Sequence, residues 1–444
     1  MNTNSKRIRT RLAGAALLAL VTVFVAGCVG AGSSASPAST TGLAGATSVP
    51  PSLVAAPIPP ASASPTPPAE WKSIQWTAQG PLSWAAGSTQ FQVFGWSRGY
   101  IGFSIKPNNT DSGFTDPTVV SYSSPDGVHW KQGQTLDTVG AGTQGMLMEI
   151  QSVIEGPAGL LAVGWSGACG AQSVDGLWTS SDGTSWQPVN TQTAFGQQVI
   201  GIPRISGGSA GYVAVAFKGA SVWTSADGRV WKPAALDAPS FKGSKIDDGT
   251  AFSGGYVLAG TYGTPDCEAT IGPAPTLPAV TAAVWWSADA ASWTRVSLPG
   301  AVSSSDGQSS SVYRLSDRAL LVVHDSWTRS ATPVERVAGW TSTDGRTWTP
   351  VTLPAGILGA EILSDGQRAL VVLPVGDGST VSPLLLQAFD HNYALVTLRQ
   401  TGNQPSISFA GSPMSDSHGL VALGPAGVVV TDGHHLWMGT PSAG

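Results

Sequence analysis

Five times along this chain the same nine-residue string recurs: aromatic-x-Ser-x-Asp-Gly-x-x-Trp. The copies occupy residues 122–130, 178–186, 223–231, 285–293 and 340–348, the fourth with Ala290 where the others have glycine. Their closing tryptophans, Trp130, Trp186, Trp231, Trp293 and Trp348, lie 56, 45, 62 and 55 residues apart. A string repeated at that spacing implies one supersecondary unit used many times, each too small to bury a core alone. The string itself reads as a hairpin. Asp-Gly is a strong turn signal, since glycine accepts positive φ and the carboxylate accepts backbone N–H bonds. The serine hydroxyl can bond the turn from the other side, and the two aromatics cover it from adjacent strands. Each copy is complete without a second carboxylate, so Asp126, Asp182, Asp227, Asp289 and Asp344 read as structural, not as catalytic acids or calcium ligands.

Upstream of each string lies an apolar run of five to seven residues, at 100–104, 159–165, 211–216, 255–260 and 319–323. Such runs fit inner strands covered on both faces. Before each run another strand is predicted, as at 148–154 and 199–202, which makes four short antiparallel strands per unit. Beyond Trp348 the strings fade, but apolar runs continue at 369–373 and 419–424, with Trp437 after the second. Seven units then fill the 374 residues from 71 to 444, about 53 each. Glycine and proline, 55 and 32 of 444 residues, interrupt helices, and no helix is required. The expected fold is all-β, a seven-bladed β-propeller of four-stranded antiparallel blades. For the outer strand of the last blade, residues 73–77 and 435–438 compete.

The string resembles the Asp-box, or BNR repeat, of sialidase-like propellers, clearly in five units and in degenerate form in two. That resemblance implies boxes between third and fourth strands, on the rim away from the ligand. It identifies a fold far better than a function.

The first residues have a separate character. Lys6, Arg7, Arg9 and Arg11 precede an uncharged run from Leu12 to Ala26, too short to span a bilayer, which ends at Val25-Ala26-Gly27-Cys28. This resembles the lipobox of bacterial lipoproteins. It implies a signal peptide at 1–27, a diacylglycerol on the Cys28 thiol, and attachment to the outer face of the bacterial cell membrane. Residues 28–70, almost wholly Ala, Ser, Thr, Gly, Pro and Val, are expected to form a disordered linker, leaving 71–444 as the folded domain. Of 22 basic residues, those four leave 18 against 27 acids, a net charge of −9 that argues against nucleic acid. Charged residues make up only 11% of the chain.

Function is expected in the loops between second and third strands, opposite the boxes. The longest such links run from Lys106 to Pro117, Trp165 to Asp175, Tyr262 to Thr281 and His324 to Arg336. On that face Trp165, Asp266, Glu268, Asp325, Trp327 and Arg329 are the candidate binding residues. Cys169 and Cys267, also in these links, are expected to pair as a disulfide, as suits an exported chain. Sialidase chemistry would need three arginines, a tyrosine–glutamate pair and an acidic aspartate. The family's early arginine motif is absent, residues 202–205 do not supply it, and Arg98, Arg295, Arg329 and Arg336 have no recognisable setting. No catalytic residue, metal or cofactor is assigned; His434-His435 and His324-Asp325 lack further ligands nearby. The expected role is a tethered monomeric binding or scaffold module for a glycan, peptide or protein. The alternative is a glycoside hydrolase with a non-standard site, and assembly of membrane complexes is a third class. Two or more carboxylates with converging arginines at the axis would favour the enzyme. An apolar or Ser/Thr-lined channel would favour binding.

Overall fold

The computed structural model describes residues 71–82, 90–110, 113–137, 147–166, 176–196, 204–216, 221–263, 280–301, 307–316, 319–327, 335–353, 357, 360–373, 382–383, 385–389, 395–407 and 419–443. Among the described residues seven sheets of four or five strands make the blades, and Ser382–Pro383 pairs with Ser406–Ile407 in a further two-stranded sheet. Blade one comprises Gln90–Trp96, Gly99–Thr110, Gly113–Ser124 and Lys131–Thr135. Blade two comprises Leu147–Gly156, Gly159–Ser166, Gly176–Ser180 and Gln187–Val189. Blade three has Arg204–Gly208, Gly211–Val215, Val222–Ser225 and Lys232–Pro233. In blade four the strands are Ser244–Phe252, Gly255–Tyr262, Thr281–Ser287 and Thr294–Ser297. Those of blade five are Gly307–Ser316, Ala319–Trp327, Glu335–Ser342 and Thr349–Val351. Blade six has Glu361–Ser364, Ala369–Leu373, Leu385–Phe389 and Leu395–Thr397. The first strands touch in a closed round, blade one on two and so on to blade seven on one. That is a seven-bladed propeller with the first strands at its axis.

Closure uses both competing segments. In blade seven Val421–Gly424, Gly427–Thr431 and His435–Ala443 are followed by Trp71–Pro81 as the fourth strand. A fifth strand, Arg399–Gly402, then lies parallel to the N-terminal one, so that Trp71–Pro81 is paired along both edges. Ile74 and Trp76 are buried there, and Trp76 Nε1 donates to Gln400 Oε1 at 2.9 Å.

The cores sit between blades, each formed by the aromatic and aliphatic faces of neighbours. The two aromatics of the string divide the work. The first tryptophan ties its blade to the incoming link: Trp178 Nε1 donates to Asp137 O, Trp285 to Ser240 O and Trp340 to Pro299 O, at 2.7–2.8 Å. In boxes one, three, four and five the second closes its own turn, as when Trp231 Nε1 donates to Gly228 O at 3.0 Å. Among the described residues, links between blades also hold helical pieces that the sequence did not require. A five-residue helix, Thr191–Phe195, is capped by Asn190, and a 3-10 turn spans Pro239–Phe241. Each delivers a phenylalanine to the next blade: Phe195 packs on Trp223 and Trp231, Phe241 on Trp285 and Trp293.

All five boxes join third to fourth strands, so their turns share the rim that carries the first hairpin of each blade. In box two Asp182 Oδ1 accepts from Thr184 N and Ser185 N, both at 2.8 Å, and from Ser180 Oγ at 3.1 Å. Ser180 Oγ in turn accepts from Gly183 N at 2.8 Å. The other four repeat the Asp-centred bonds. Glycine is favoured here: Gly183 has φ 75°, and a Cβ on it would press on Ile101 Cδ1. Ala290 adopts φ 62° in its place. Two shorter turns of the same chemistry escape the nine-residue pattern. Asp365 caps the first hairpin of blade six and Asp432 the second connection of blade seven, which lies on the opposite rim.

Candidate functional site

First strands run from the loop rim to the box rim, so their leading residues line the axis on the loop side. The first strands of blades two and six carry Glu149 and Glu361 near that end, and the largest polar group is on blades three, four and five. Arg204 opens the first strand of blade three, Lys245, Asp247 and Asp248 lie on that of blade four, and Ser310, Ser311 and Tyr313 on that of blade five. A bulge between Ile246 and Asp248 breaks the alternation of blade four and allows two successive aspartates to face the same neighbour. Both accept from the first strand of blade five: Asp247 Oδ2 from Ser310 N at 3.1 Å, Asp248 Oδ2 from Val312 N at 3.0 Å.

Each carboxylate also has a cation. Arg204 Nη1 lies 2.9 Å from Asp248 Oδ2 and donates to Ser311 Oγ at 2.8 Å. Lys245 Nζ lies 2.6 Å from Asp247 Oδ1. Gly249 N donates to the second oxygen of Asp248 at 2.8 Å. Burial pushes both carboxyls up, against the pull of Arg204 on Asp248 and of Lys245 on Asp247. Asp248 in turn raises the Arg204 guanidinium, which stays charged. Burial likewise raises the Tyr313 phenol, with Arg204 opposing it. Behind the strand, His324 Nδ1 and Ser310 Oγ lie 2.9 Å apart, and Ser310 Oγ donates to Gly260 O at 3.1 Å. Burial lowers the His324 imidazole to about 4, so it is neutral near pH 7. Its Nε2 has no hydrogen-bond partner among the described residues.

Of the candidate binding residues singled out from sequence, Trp165, Asp325 and Trp327 are described, at or near the loop-rim ends of second strands. Trp165 and Trp327 are strand residues, not loop residues: Trp165 pairs with Glu149, Trp327 with Gly307 and Glu335. Asp325 is likewise within a strand, opposite Ser309 and Val337. The links at 106–117 and 324–336 are shorter than expected because second and third strands keep pairing past the core, to Thr110 and Gly113 in blade one. Cys28, Cys169, Asp266, Cys267, Glu268 and Arg329 lie outside the described residues. Arg98 is on the box rim, donating to Ser181 O and stacked 4.1 Å over Trp96. Arg295 is stacked 3.5 Å over Tyr262. The axial group was missed because first-strand residues were read as strand formers. Asp247-Asp248 in a chain with so few charges was the available signal. Among the described residues no group of three or more His, Cys, Asp or Glu could hold a metal, and no helix is long and apolar enough to cross a membrane.

No family model and no curated protein matches the chain. Among solved structures it is similar to the α-L-arabinanase of Penicillium chrysogenum complexed with arabinobiose, at 11% identity over 85% of this chain and 99% of that one, TM-score 0.35. It is also similar to the α-L-arabinofuranosidase of Fusarium graminearum bound to an iminosugar inhibitor, at 11% identity over 76% and 97%, TM-score 0.32. At these values the likeness says nothing of chemistry.

Proposed function

We propose that the chain is a lipoprotein anchored through Cys28, whose propeller acts on a glycan at its axis by glycoside hydrolysis. The observation that carries this is the pair Asp247 and Asp248, adjacent on one strand, largely buried, and paired with Lys245 of the same strand and Arg204 of blade three. Hydrolysis of a glycosidic bond needs one carboxyl protonated and one ionised. Two neighbouring carboxyls raised by burial and set against fixed cations are the kind of pair whose protonation can be split. Of the two arrangements expected to discriminate enzyme from binding module, this resembles the first, with lysine standing beside a single arginine. Retention of the glycan without cleavage is the second reading, and it rests on how little of either carboxylate reaches solvent. One assay separates them. The full-length protein in detergent is incubated with a panel of acidic and neutral oligosaccharides, and reducing ends and binding are both followed. New reducing ends that disappear in Asp247→Asn and Asp248→Asn support hydrolysis. Binding without turnover supports retention, and neither outcome on any member rejects both. The anchor is tested apart, by Cys28→Ala, which should release the protein or leave its precursor uncut.

A further inference from the structure

Trp71, where the chain enters the propeller, pairs with Ala443, and Pro81 pairs with His435. The strand His435–Ala443 leaves the Asp432 turn on the loop rim, so it ends on the rim of the boxes, and Trp71–Pro81 begins there. The 42 residues from 29 to 70 thus lead from Cys28 to the box rim, not to the mouth of the axis.

What the box rim presents is layered. In every box the aspartate Oδ1 accepts from the amides of the seventh and eighth residues, which holds the carboxylate inside the turn. The side chains of those two residues lie outside it, and nine of the ten are exposed. These outer positions include His129, Arg229 and Arg346 and no acid, and the position after the closing tryptophan adds Lys131 and Lys232. Val230 and Val128 stand among them at 63% and 39% exposure, two of the five large apolar side chains exposed among the described residues. The other described acids of these turns are held: Glu155 accepts from Ser97 N and Oγ, and Asp365 pairs with Arg368. The distinction is one of depth, with cations and valines outermost and carboxylates within, and not of net charge. Cations beside an exposed apolar side chain at a turn tip fit the interface of an anionic bilayer, where headgroup phosphate meets the acyl boundary.

Resting on the Cys28 anchor, we propose that the box rim docks on an anionic phospholipid bilayer and so turns the loop rim, with the axial mouth, away from it. The anchor supplies attachment, and the rim supplies orientation. A lipid at the far end of the linker keeps the propeller near the bilayer, so contacts too weak to bind from solution suffice. Beyond residue 27 the chain has 18 bases against 27 acids. An anionic surface therefore repels the molecule as a whole and draws in only a face of this kind. The docking is accordingly lost at high salt.

The test reconstitutes the full-length protein, purified from membranes, into vesicles of phosphatidylcholine alone or of an equal mixture with phosphatidylglycerol. A fluorescent amino acid is introduced at position 230 on the box rim or at position 262 on the loop rim, and nitroxide-labelled headgroups quench whichever lies against the lipid. In the mixed vesicles the label at 230 should be quenched several-fold more than the label at 262. The difference should vanish in phosphatidylcholine and at high salt. The triple variant Lys131→Gln, Arg229→Gln, Lys232→Gln should abolish it as well, with flotation on the vesicles and the thermal midpoint unchanged. Equal quenching at the two positions, stronger quenching at 262, or a difference that survives both the triple variant and salt would overturn the docking and leave the anchor standing. Protein that floats with neither vesicle overturns both.

Discussion

Gln92 and Ile150, the one in blade one and the other in blade two, exchange a reciprocal pair of hydrogen bonds: Ile150 N donates to Gln92 Oε1 at 2.8 Å, and Gln92 Nε2 donates to Ile150 O at 2.9 Å. The side-chain amide supplies to a neighbouring first strand what a paired strand would supply within a sheet. Gln92 is fully buried. Gln92→Leu should therefore leave an amide and a carbonyl unpaired and cost about 2–4 kcal/mol, measured by denaturant unfolding. A loss under about 0.5 kcal/mol would mean that water replaces both bonds.

Box four offers the opposite sign. Ala290 holds φ 62°, where a Cβ costs about 1 kcal/mol that glycine does not incur. Ala290→Gly should raise stability by roughly that amount, less the greater freedom of glycine in the unfolded chain. A lower thermal midpoint would count against it.

The boxes also set an acid limit. Burial pushes the Asp182 carboxyl up, but the amides of Ser185 and Thr184 and the hydroxyls around it outweigh this and bring it down to about 2. Net lowering holds for Asp227 and Asp344 as well. A carboxyl lower in the folded than in the unfolded chain gives stability that is present above about pH 4 and lost as pH falls toward 2. Asp182→Ala should cost about 1–3 kcal/mol at pH 7, where its amides lose their acceptor, and much less near pH 2. Equal losses at both values would be inconsistent with this. Ligand binding at the axis should persist.

His324 acts in a different window. Its imidazole is lowered from the usual range to about 4 by burial. The unfolded chain then takes up a proton that the folded chain refuses, so stability should fall as pH drops from about 6.5 to 4. His324→Gln should flatten this part of the pH profile, and an unchanged slope would remove His324 from the explanation.

Trp76 probes the closure. Trp76→Ala removes a buried ring from blade seven and its bond to Gln400, at a cost of about 3–5 kcal/mol. Protease sensitivity should rise first in residues 71–81 and 399–402. Digestion beginning elsewhere would show that closure is not the weak point.

How much was legible follows from what repeats. The box, the apolar second strand and the count of units recur, so Asp126 through Asp344 and the blades could be read from comparison within the chain. The outer strand of blade seven could not, because Trp71–Pro81 and His435–Ala443 both have strand patterns and only pairing decides their order. The axial residues occur once each. Arg204, Lys245 and the two aspartates sit at no repeated position, and the bulge that turns Asp247 and Asp248 toward blade five leaves no local signature. Loop length drew attention to Trp327, yet continued strand pairing makes it part of a blade.

The N-terminal strand carries a consequence for how the chain reaches its native state. Ser73 meets Ser442, 369 residues later, and Trp76 meets Gln400. Whatever end of the chain is made or exported first, this strand waits with both edges open until nearly all the rest has arrived. Contacts of such sequence separation form late and slowly, and an open strand edge invites pairing with other chains. A chain stopped short of residue 399 would thus hold six blades' worth of sequence and no means of locking them into a ring. Closure of the ring waits, for this protein, on the strand His435–Ala443.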